Sequence, residues 1–274
     1  MTTLYDDIGS TYVSTRTADP AILATLAARL QVDPQRQYLD VACGTGNYTR
    51  ALATLGGRWH GVDNSIVMLT NAQALDRVVS WHLADSANLP FANLTFDGAI
   101  CTLAIHHFAE LLEPFREVRR VLRSGSFVLL TSLSEQMEHY WLCHYFPTMM
   151  RRSIEAMPTQ ELVRRKLDSA GFARVEFLPY FVAADLEDLF LYAGKDRPHM
   201  YLDPCVRANI SSFVRLCSPG ELQSGLAALD TDLRSGNFAS VKAAYSSHNG
   251  DYAFFVAHAD AQLPAQVHFE REAS

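Results

Sequence analysis

Residues 38–47 read Tyr-Leu-Asp-Val-Ala-Cys-Gly-Thr-Gly-Asn, and this stretch decides the fold. An apolar run suited to a buried strand leads directly into two glycines, and a helix-like stretch begins near Asn47. Gly44 and Gly46 allow the backbone to turn tightly and to approach a ligand closely, while free N–H groups at a helix start attract negative charge. The stretch therefore predicts a strand, a glycine turn and a helix that together bind a nucleotide-type cofactor.

Two other kinds of glycine loop are excluded by the residues that follow. A Walker A loop needs Gly-Lys-Ser/Thr, which does not follow Gly46. The full dinucleotide fingerprint needs a third glycine at the position where Thr49 stands. What remains to be explained is an acidic residue, Asp40, followed at fixed spacing by Gly44 and Gly46.

Outward from this stretch, strand-like runs alternate with helix-like stripes, which is the pattern of an α/β protein. We predict a Rossmann-like, doubly wound sheet of seven strands that is mostly parallel, with the last strand antiparallel. The predicted strands span residues 37–41, 58–63, 79–84, 96–103, 125–132, 174–182 and 251–259.

The helix signals are of two kinds, capping residues and apolar stripes. Asp19 is a predicted N-cap followed by Pro20, and further helices are expected to begin near Asn47 and Ser65. Ser218 and Glu221 match a capping box, in which each side chain caps the backbone of the other. Other predicted helical stretches span residues 109–122, 161–170 and 222–233.

Two segments fall outside the alternation, residues 133–158, which are rich in aromatic side chains and methionine, and residues 183–249. An insertion with apolar faces of its own must pack on something, and the ligand-binding edge of the sheet is the natural place. We therefore predict that both segments form a helical substrate cap. The expected organisation is an N-terminal cofactor cover and helix at 1–36, a core at 37–182 (enclosing the first cap segment) and 250–260, and a tail at 261–274.

Composition excludes several classes of function. Of 274 residues, 49% are hydrophobic and 19% charged, and no apolar run approaches the ~18 residues of a membrane span. The net charge of −7, with no basic block, argues against a nucleic-acid partner. Five scattered cysteines, none in a C-x-x-C pair, favour reduced thiols over a disulfide framework or a metal site. With no secretory signal at the start, we expect a cytoplasmic protein, and the oligomeric state stays open.

The spacing of Asp40, Gly44 and Gly46 resembles motif I of the class I S-adenosylmethionine-dependent methyltransferases. Asp63 follows at the end of the second strand, and Asp85 closes the third, ahead of Asn-Leu-Pro-Phe at 88–91. This order is similar to that of the ubiquinone/menaquinone-biosynthesis-like methyltransferases over residues 37–132, and no family motif is found beyond residue 180. Serines at 124 and 126 replace the usual Pro and Gly, which affects a turn rather than a site.

The resemblance implies that S-adenosylmethionine is the cofactor. In that family the methionine carboxylate meets the helix start, the Asp63 position accepts from the ribose hydroxyls, and the Asp85 position accepts from the adenine amine. A segment around Tyr12 resembles the part that folds over the cofactor. The expected cofactor-binding residues are Tyr12, Arg16, Asp40, Ala42, Gly44, Gly46, Asp63, Asn64, Met68, Asp85, Ser86 and Leu103.

Two adjacent histidines, His106 and His107, follow the fourth strand. Because neighbouring residues of a strand face opposite ways, only one of them is expected to point at the cleft, and the resemblance favours His107, with Tyr12 beside it. Imidazole titrates near neutrality, so His107 is the candidate catalytic base. A packed, hydrogen-bonded histidine is the alternative, and an acceptor that ionises unaided needs no base.

The aromatic run at 139–146 supplies candidate substrate-binding residues, since aromatic surfaces line many small-molecule sites. The alternative is that the run forms only the core of the cap. Three cysteines in the cap match no spacing of the arsenite methyltransferases, so we interpret them as small buried side chains. The predicted substrate-binding residues are Tyr140, Trp141, His144 and Tyr145.

The predicted function is transfer of a methyl group to an O, N or C atom of a small, partly apolar or aromatic metabolite. The chain lacks the Asn/Asp-Pro-Pro-Tyr/Phe motif of enzymes that methylate adenine bases or glutamine, which argues against those substrates. The alternative is a non-catalytic S-adenosylmethionine-binding accessory protein on the same fold. A large cap favours the enzyme, because a pure sensor has no second ligand to enclose.

Overall fold

The computed structural model describes residues 16–246 and 248–260, which form a seven-stranded sheet flanked by helices. The strand order is β3-β2-β1-β4-β5-β7-β6. The strands are β1 (Gln37–Val41), β2 (Arg58–Asp63), β3 (Ser80–Leu83), β4 (Gly98–Thr102), β5 (Ser126–Thr131), β6 (Arg174–Tyr180) and β7 (Tyr252–His258).

The sheet confirms the predicted fold class. Strands β1 to β5 pair in parallel, and β7 pairs antiparallel with both β5 and β6. The chain winds outward from β1 to β3 and then returns to β4, on the other side of β1. This reversal opens a crevice at the carboxyl ends of β1 and β4, where open α/β sheets bind their ligands.

Twelve α-helices and two 3₁₀ helices lie within the described ranges. The 3₁₀ helices are Ile105–His107 and Pro198–Leu202. The α-helices are α1 (Pro20–Leu30), α2 (Asn47–Ala53), α3 (Ile66–Leu75), α4 (Leu112–Val121), α5 (Ser134–Met137), α6 (Leu142–Tyr145), α7 (Pro147–Glu155), α8 (Gln160–Ser169), α9 (Pro204–Arg207), α10 (Ser211–Leu216), α11 (Pro219–Ser235) and α12 (Phe238–Ala244).

Side-chain caps begin the helices as the sequence indicates. The Asp19 carboxylate accepts hydrogen bonds from the N–H groups of Ala21 (3.0 Å) and Ile22 (3.1 Å), and Pro20 occupies the first helical position. The Ser65 hydroxyl accepts from the Met68 N–H at 3.3 Å. These caps set where α1 and α3 start, and hence how they cover the sheet.

The predicted capping box at Ser218 is half right. The Ser218 hydroxyl accepts from the Glu221 N–H at 3.3 Å, as expected. The Glu221 carboxylate, however, accepts from the N–H groups of Thr148 (2.6 Å) and Met149 (3.1 Å) in the first turn of α7. Since these N–H groups have no partner within their own helix, Glu221 ties the segment between β6 and β7 to the segment after β5.

Apolar side chains pack on both faces of the sheet. On one face, Ile100 and Val128 of the central strands join α1 and the helices between β6 and β7 in one continuous core. On the other, Ala99 and Leu129 pack with α4 and α8. Every residue of β5 is buried, which fits a strand at the centre of a sheet covered on both sides. No helix in the described ranges is long and apolar enough to cross a bilayer.

Candidate functional site

A cavity of about 440 Å³ lies at the carboxyl ends of β1 to β4, and we call it the larger cavity. Its size falls within the roughly 300–1,000 Å³ of small-molecule sites. Side chains and backbone from each strand end reach its wall, including Gly44 after β1, Asp63 at the end of β2, Asp85 after β3 and Leu103 after β4. The strand order therefore assembles residues that are far apart in the sequence.

The two glycines of the turn play different parts. Both adopt left-handed backbone conformations, with φ of +57° at Gly44 and +72° at Gly46. A Cβ atom at Gly44 would meet nothing within 4 Å, and Gly44 lies on the cavity wall. A Cβ atom at Gly46 would lie 2.1 Å from the Trp81 ring, so Gly46 is required by packing. Gly46, which the sequence predicts to bind the cofactor, does not line the larger cavity.

Asp63 links the glycine turn to the start of α3. Its carboxylate accepts hydrogen bonds from the N–H groups of Gly44 (2.8 Å) and Ser65 (2.9 Å). Burial raises the pKa of Asp63, and bonds from the backbone N–H groups of Ser65, Gly44 and Asn64 act in the opposite direction. An ionised carboxylate has about four acceptor positions, so Asp63 keeps capacity for donors in the cavity.

Asp40 lies beneath the glycine turn and does not reach the cavity wall. It is 1% exposed, its Oδ2 accepts from the Thr49 hydroxyl at 2.5 Å, and its Oδ1 has no hydrogen-bond partner. Burial, partly offset by the Thr49 bond, raises the pKa of Asp40 to about 7. The structure thus places this predicted cofactor-binding residue one layer behind the site.

Asp40→Asn should stabilise the protein more at pH 8 than at pH 5. A carboxyl whose pKa is higher in the folded than in the unfolded state contributes stability at low pH, and loses it as pH rises through the folded value of about 7. The asparagine does not titrate, so we expect the difference in unfolding free energy to shift in its favour by about 2–3 kcal/mol. Melting curves of both proteins at the two pH values measure this shift, and a pH-independent difference would contradict it.

Arg16 borders the larger cavity beside α2 and is held by a buried carboxylate. Its guanidinium donates two hydrogen bonds to Asp188, from Nε and, at 3.1 Å, from Nη2. Asp188 is fully buried and also accepts from the Tyr48 hydroxyl at 3.1 Å. The Arg16 carbonyl accepts from the Asn47 amide group at 2.6 Å. These contacts connect the residues before α1, the start of α2 and the segment between β6 and β7.

A second cavity, of about 80 Å³, shares Arg16 and Leu103 with the first, and we call it the smaller cavity. It lies between the sheet and the two segments outside the strand and helix alternation. Its wall combines apolar side chains such as Met137 and Phe190 with the polar groups of Ser132 and other residues. The shared residues place the two cavities side by side.

The two histidines each face a different cavity. The prediction that strand alternation orients them is wrong, because β4 ends at Thr102 and both residues belong to a 3₁₀ helix. Their ring centroids are 3.8 Å apart. His107 borders the larger cavity and His106 the smaller.

Both histidines are neutral at neutral pH, which differs from the expected titration in that range. Burial, followed by the charges of His107 and Arg16, lowers the pKa of His106 to about 3. Burial and the charge of Arg215 lower the pKa of His107 to about 4. The His107 side chain is exposed at the cavity mouth of the described fold, so solvent weakens the effect of burial there.

The structure brings most of the predicted cofactor-binding residues together. Asp40 and Gly46 are the two described members of that set that lie off the wall, and Tyr12 falls outside the described residues. Those on the wall of the larger cavity are Arg16, Ala42, Gly44, Asp63, Asn64, Met68, Asp85, Ser86 and Leu103.

Several wall residues were missed, among them Thr45, Asn47 and Tyr48 of the turn and the first residues of α2. They adjoin the quoted glycines, so the predicted helix start was a signal that could have identified them. Phe108 and Glu113, which also line the cavity, carry no such signal. No three His, Cys, Asp or Glu side chains of the described residues are grouped as metal ligands.

The aromatic run predicted to bind substrate borders neither cavity. Tyr140 stacks on Tyr192 with ring centroids 3.8 Å apart, and the Trp141 indole donates to the Lys195 carbonyl at 3.1 Å. Tyr145 is buried and donates to Asp232 at 2.9 Å, while His144 is exposed. These contacts correspond to the alternative, in which the run packs the helices after β5 against the helices between β6 and β7.

Comparisons with known proteins match this chain to methyltransferases. A family model described as "Methyltransferase domain" matches residues 39–130. A solved structure from Anabaena variabilis, described as a methyltransferase from an antibiotic biosynthesis pathway, is 32% identical with a TM-score of 0.79, and the match covers 89% of this chain and 98% of that one.

Two curated relatives are similar over a smaller part of the chain. A demethylmenaquinone methyltransferase of Corynebacterium kroppenstedtii is 29% identical, over 63% of this chain and 85% of its own. A ubiquinone/menaquinone biosynthesis C-methyltransferase of Burkholderia vietnamiensis is 26% identical, over 55% and 72% respectively. Both matches are with enzymes that methylate, as their names state.

Proposed function

Because this chain belongs to the class I S-adenosylmethionine-dependent methyltransferases, we propose that the larger cavity holds S-adenosylmethionine. The smaller cavity then receives a small methyl acceptor. The observation that carries the proposal is that the two cavities meet at Arg16 and Leu103. Two ligands that exchange a group need adjoining sites. The acceptor atom is an O, N or C atom of a small, partly apolar or aromatic metabolite.

The residues of the larger cavity fit the cofactor. Asp63 offers a carboxylate that backbone N–H groups hold in place and that keeps acceptor capacity, which suits a ribose hydroxyl. Asp85 lies further along the wall, where it suits the adenine amine, and the open space beside Gly44 lets a ligand approach the backbone. When bound, S-adenosylmethionine supplies a methyl group on a positively charged sulfur. We propose the nine wall residues named above as its binding set.

The chain's own part in the reaction is mainly alignment and exclusion of water. Holding two reactants in line lowers the barrier without any further chemical group. The helices between β6 and β7 cover the smaller cavity on one side and Arg16 closes the boundary. We propose that these helices, with the segment after β5, act as the substrate cap.

His107 remains a proposed proton acceptor for those substrates that need one. It borders the larger cavity, beside the boundary residue Leu103, and its lowered pKa keeps it unprotonated at neutral pH. The same shift makes it a weaker base than an ordinary histidine. Its help is therefore useful only once the acceptor has begun to form its new bond and has become more acidic.

The accessory-protein alternative predicts cofactor binding without turnover. A second cavity adjoining the first favours the enzyme, since a protein that only senses the cofactor needs one site. The test offers the protein S-adenosylmethionine with each member of a panel of phenols, hydroquinones and amines. Mass spectrometry then measures whether S-adenosylhomocysteine forms. The names of two curated relatives refer to quinones, and the hydroquinones in that panel are the reduced forms of such compounds. Binding without turnover on any member would favour the alternative.

With an accepted substrate, the turnover rate at saturating cofactor should be flat between pH 6.5 and 8.5. A base with a lowered pKa is already unprotonated there, so the rate rises with pH only in the acid range. His107→Ala should lower this plateau by about 10²–10⁴-fold if a base is used. A step near pH 6.5 that disappears in His107→Ala would contradict the lowered pKa, and Asp40→Asn controls for titration of the buried carboxyl near pH 7.

A further inference from the structure

The smaller cavity contains buried polar atoms that have no hydrogen-bond partner among the residues that the structure describes. Ser132 is 6% exposed and its hydroxyl makes no hydrogen bond. Asn209 is 7% exposed; its amide nitrogen donates to the Cys205 carbonyl at 3.0 Å, but its Oδ1 accepts nothing. Both residues line the cavity. Leaving a buried polar group unsatisfied typically costs about 1–3 kcal/mol, so these atoms need an explanation.

The charges around the cavity cancel. Arg16 is the one charged side chain among the described residues on its wall, and the buried Asp188 pairs with its guanidinium. His106 is neutral because burial lowers its pKa to about 3. An anionic ligand would therefore meet no uncompensated cation, and a cationic ligand no uncompensated anion. Removing either charge from water without a partner is unfavourable.

Most of the remaining wall is apolar and the space is compact. Met137, Phe190 and Tyr252 surround the polar atoms, and the volume of about 80 Å³ is less than the roughly 150 Å³ of an engineered cavity that binds benzene. A ring entering here must therefore extend toward the larger cavity or displace a side chain. Since the shared residues Arg16 and Leu103 mark that direction, an acceptor held by its polar end would reach toward the cofactor site.

Resting on the proposed function, we infer that the smaller cavity selects an uncharged methyl acceptor that carries an O–H or N–H group. This group donates hydrogen bonds to the oxygens of Ser132 and Asn209. Water can satisfy these atoms before the acceptor arrives. Once the methyl acceptor has displaced that water, only an O–H or N–H group of the methyl acceptor can replace the hydrogen bonds that the water made. The site therefore rejects an analogue of the same shape that lacks the donor, because the buried oxygens would then stay unpaired.

Phenol and toluene test the inference, because they share a shape and differ in the donor. Binding is measured by saturation-transfer NMR on the full chain loaded with S-adenosylhomocysteine, so that the proposed cofactor site is occupied and the probe must use the space beside it. We expect phenol to bind at least about tenfold more tightly than toluene. Equal affinities, or loss of phenol binding when S-adenosylhomocysteine is added, would overturn the inference.

Ser132→Ala should abolish most of the preference for phenol while leaving the melting temperature and S-adenosylhomocysteine affinity unchanged. Within the described ranges the Ser132 hydroxyl has no hydrogen-bond partner, so its removal leaves no other buried group there newly unpaired. Ser126→Ala is the matched control, because Ser126 is also buried but contacts His258 on β7, away from both cavities. If Ser132→Ala keeps the full preference for phenol over toluene, the inference of a donor-selective site is wrong.

Asp188→Asn tests the balance of charge independently. Because Arg16 loses the charge of its partner Asp188 in this variant, benzoate should gain on phenol by about tenfold or more relative to wild type. An unchanged ratio in a folded variant would show that Arg16 does not face the acceptor. Failure of the proposed function looks different, since it appears as loss of S-adenosylhomocysteine binding or of turnover, and the phenol and toluene comparison can then be made on the unloaded protein.

Discussion

Asp63→Asn is expected to weaken binding of S-adenosylmethionine and S-adenosylhomocysteine by about 10- to 100-fold. Hydrogen bonds to a charged acceptor are worth about 1.5–3 kcal/mol, and Asp63 is the buried carboxylate that the glycine turn holds against the larger cavity. The asparagine keeps the shape but replaces one oxygen with an N–H₂ group. The asparagine therefore has fewer acceptor positions for the ligand. Its N–H₂ group also faces a backbone N–H group, and two donors cannot form a hydrogen bond.

Asp85→Asn is the matched control for this change. Asp85 lies on the same cavity wall but is exposed, and its Oδ1 accepts from the Ala87 N–H at 2.9 Å. Solvent weakens an exposed charge, so we expect a loss of only a few-fold. Isothermal calorimetry at one pH compares the two variants, with circular dichroism to show that each is folded. Wild-type affinity in a folded Asp63→Asn would remove Asp63 from the cofactor site.

Alanine at the two turn glycines should separate stability from binding. At Gly46 the added methyl meets the Trp81 ring, so a left-handed alanine, at about 1–2 kcal/mol, is joined by overpacking of about 1–3 kcal/mol. At Gly44 the methyl enters open space, and only the backbone cost remains. Gly46→Ala should therefore lose about 2–5 kcal/mol of unfolding free energy and Gly44→Ala about 1–2 kcal/mol.

The order of effects on cofactor affinity should be the reverse of that on stability. The methyl at Gly44 projects where the cavity wall meets the ligand, so Gly44→Ala is expected to weaken S-adenosylhomocysteine binding by about tenfold or more. Gly46→Ala, where it is folded, should bind nearly normally because Gly46 lies behind the wall. Denaturant unfolding and calorimetry measure the two quantities. A Gly44→Ala variant that binds normally would show that no ligand approaches this part of the turn.

The strands were predictable because each carries a strong local signal. The run before Gly44 is apolar and short, and the predicted limits of β1 and β2 coincide with the observed ones. Asp63 and Asp85 were predictable from their position at strand ends, since parallel strands bring their carboxyl ends to one edge. Local pattern and topology point to the same answer here, and the larger cavity follows from both.

The smaller cavity could not be predicted, because its wall depends on tertiary packing. Ser132 and Asn209 come from opposite sides of β6 in the sequence, and neither belongs to a motif. The orientation of His106 depended on where β4 ends, one of the least reliable features of any strand prediction. The aromatic run at 139–146 indicated that large rings pack in this region, but not whether a ligand or another part of the chain covers them. At Tyr140 the covering group is the ring of Tyr192.

The point where the chain leaves β6 and re-enters at β7 has an evolutionary consequence. The Asp251 N–H donates to the Tyr180 carbonyl at 2.8 Å, so the long intervening segment begins and ends at neighbouring residues of an antiparallel pair. Nature can exchange such a segment as a unit without changing the sheet. It cannot simply be deleted, because Phe190 and Tyr192 pack on the buried ring of Tyr252 in β7. New preferences for the methyl acceptor can therefore arise when the segment between β6 and β7 is replaced by another, while the strands that carry the larger cavity are inherited unchanged.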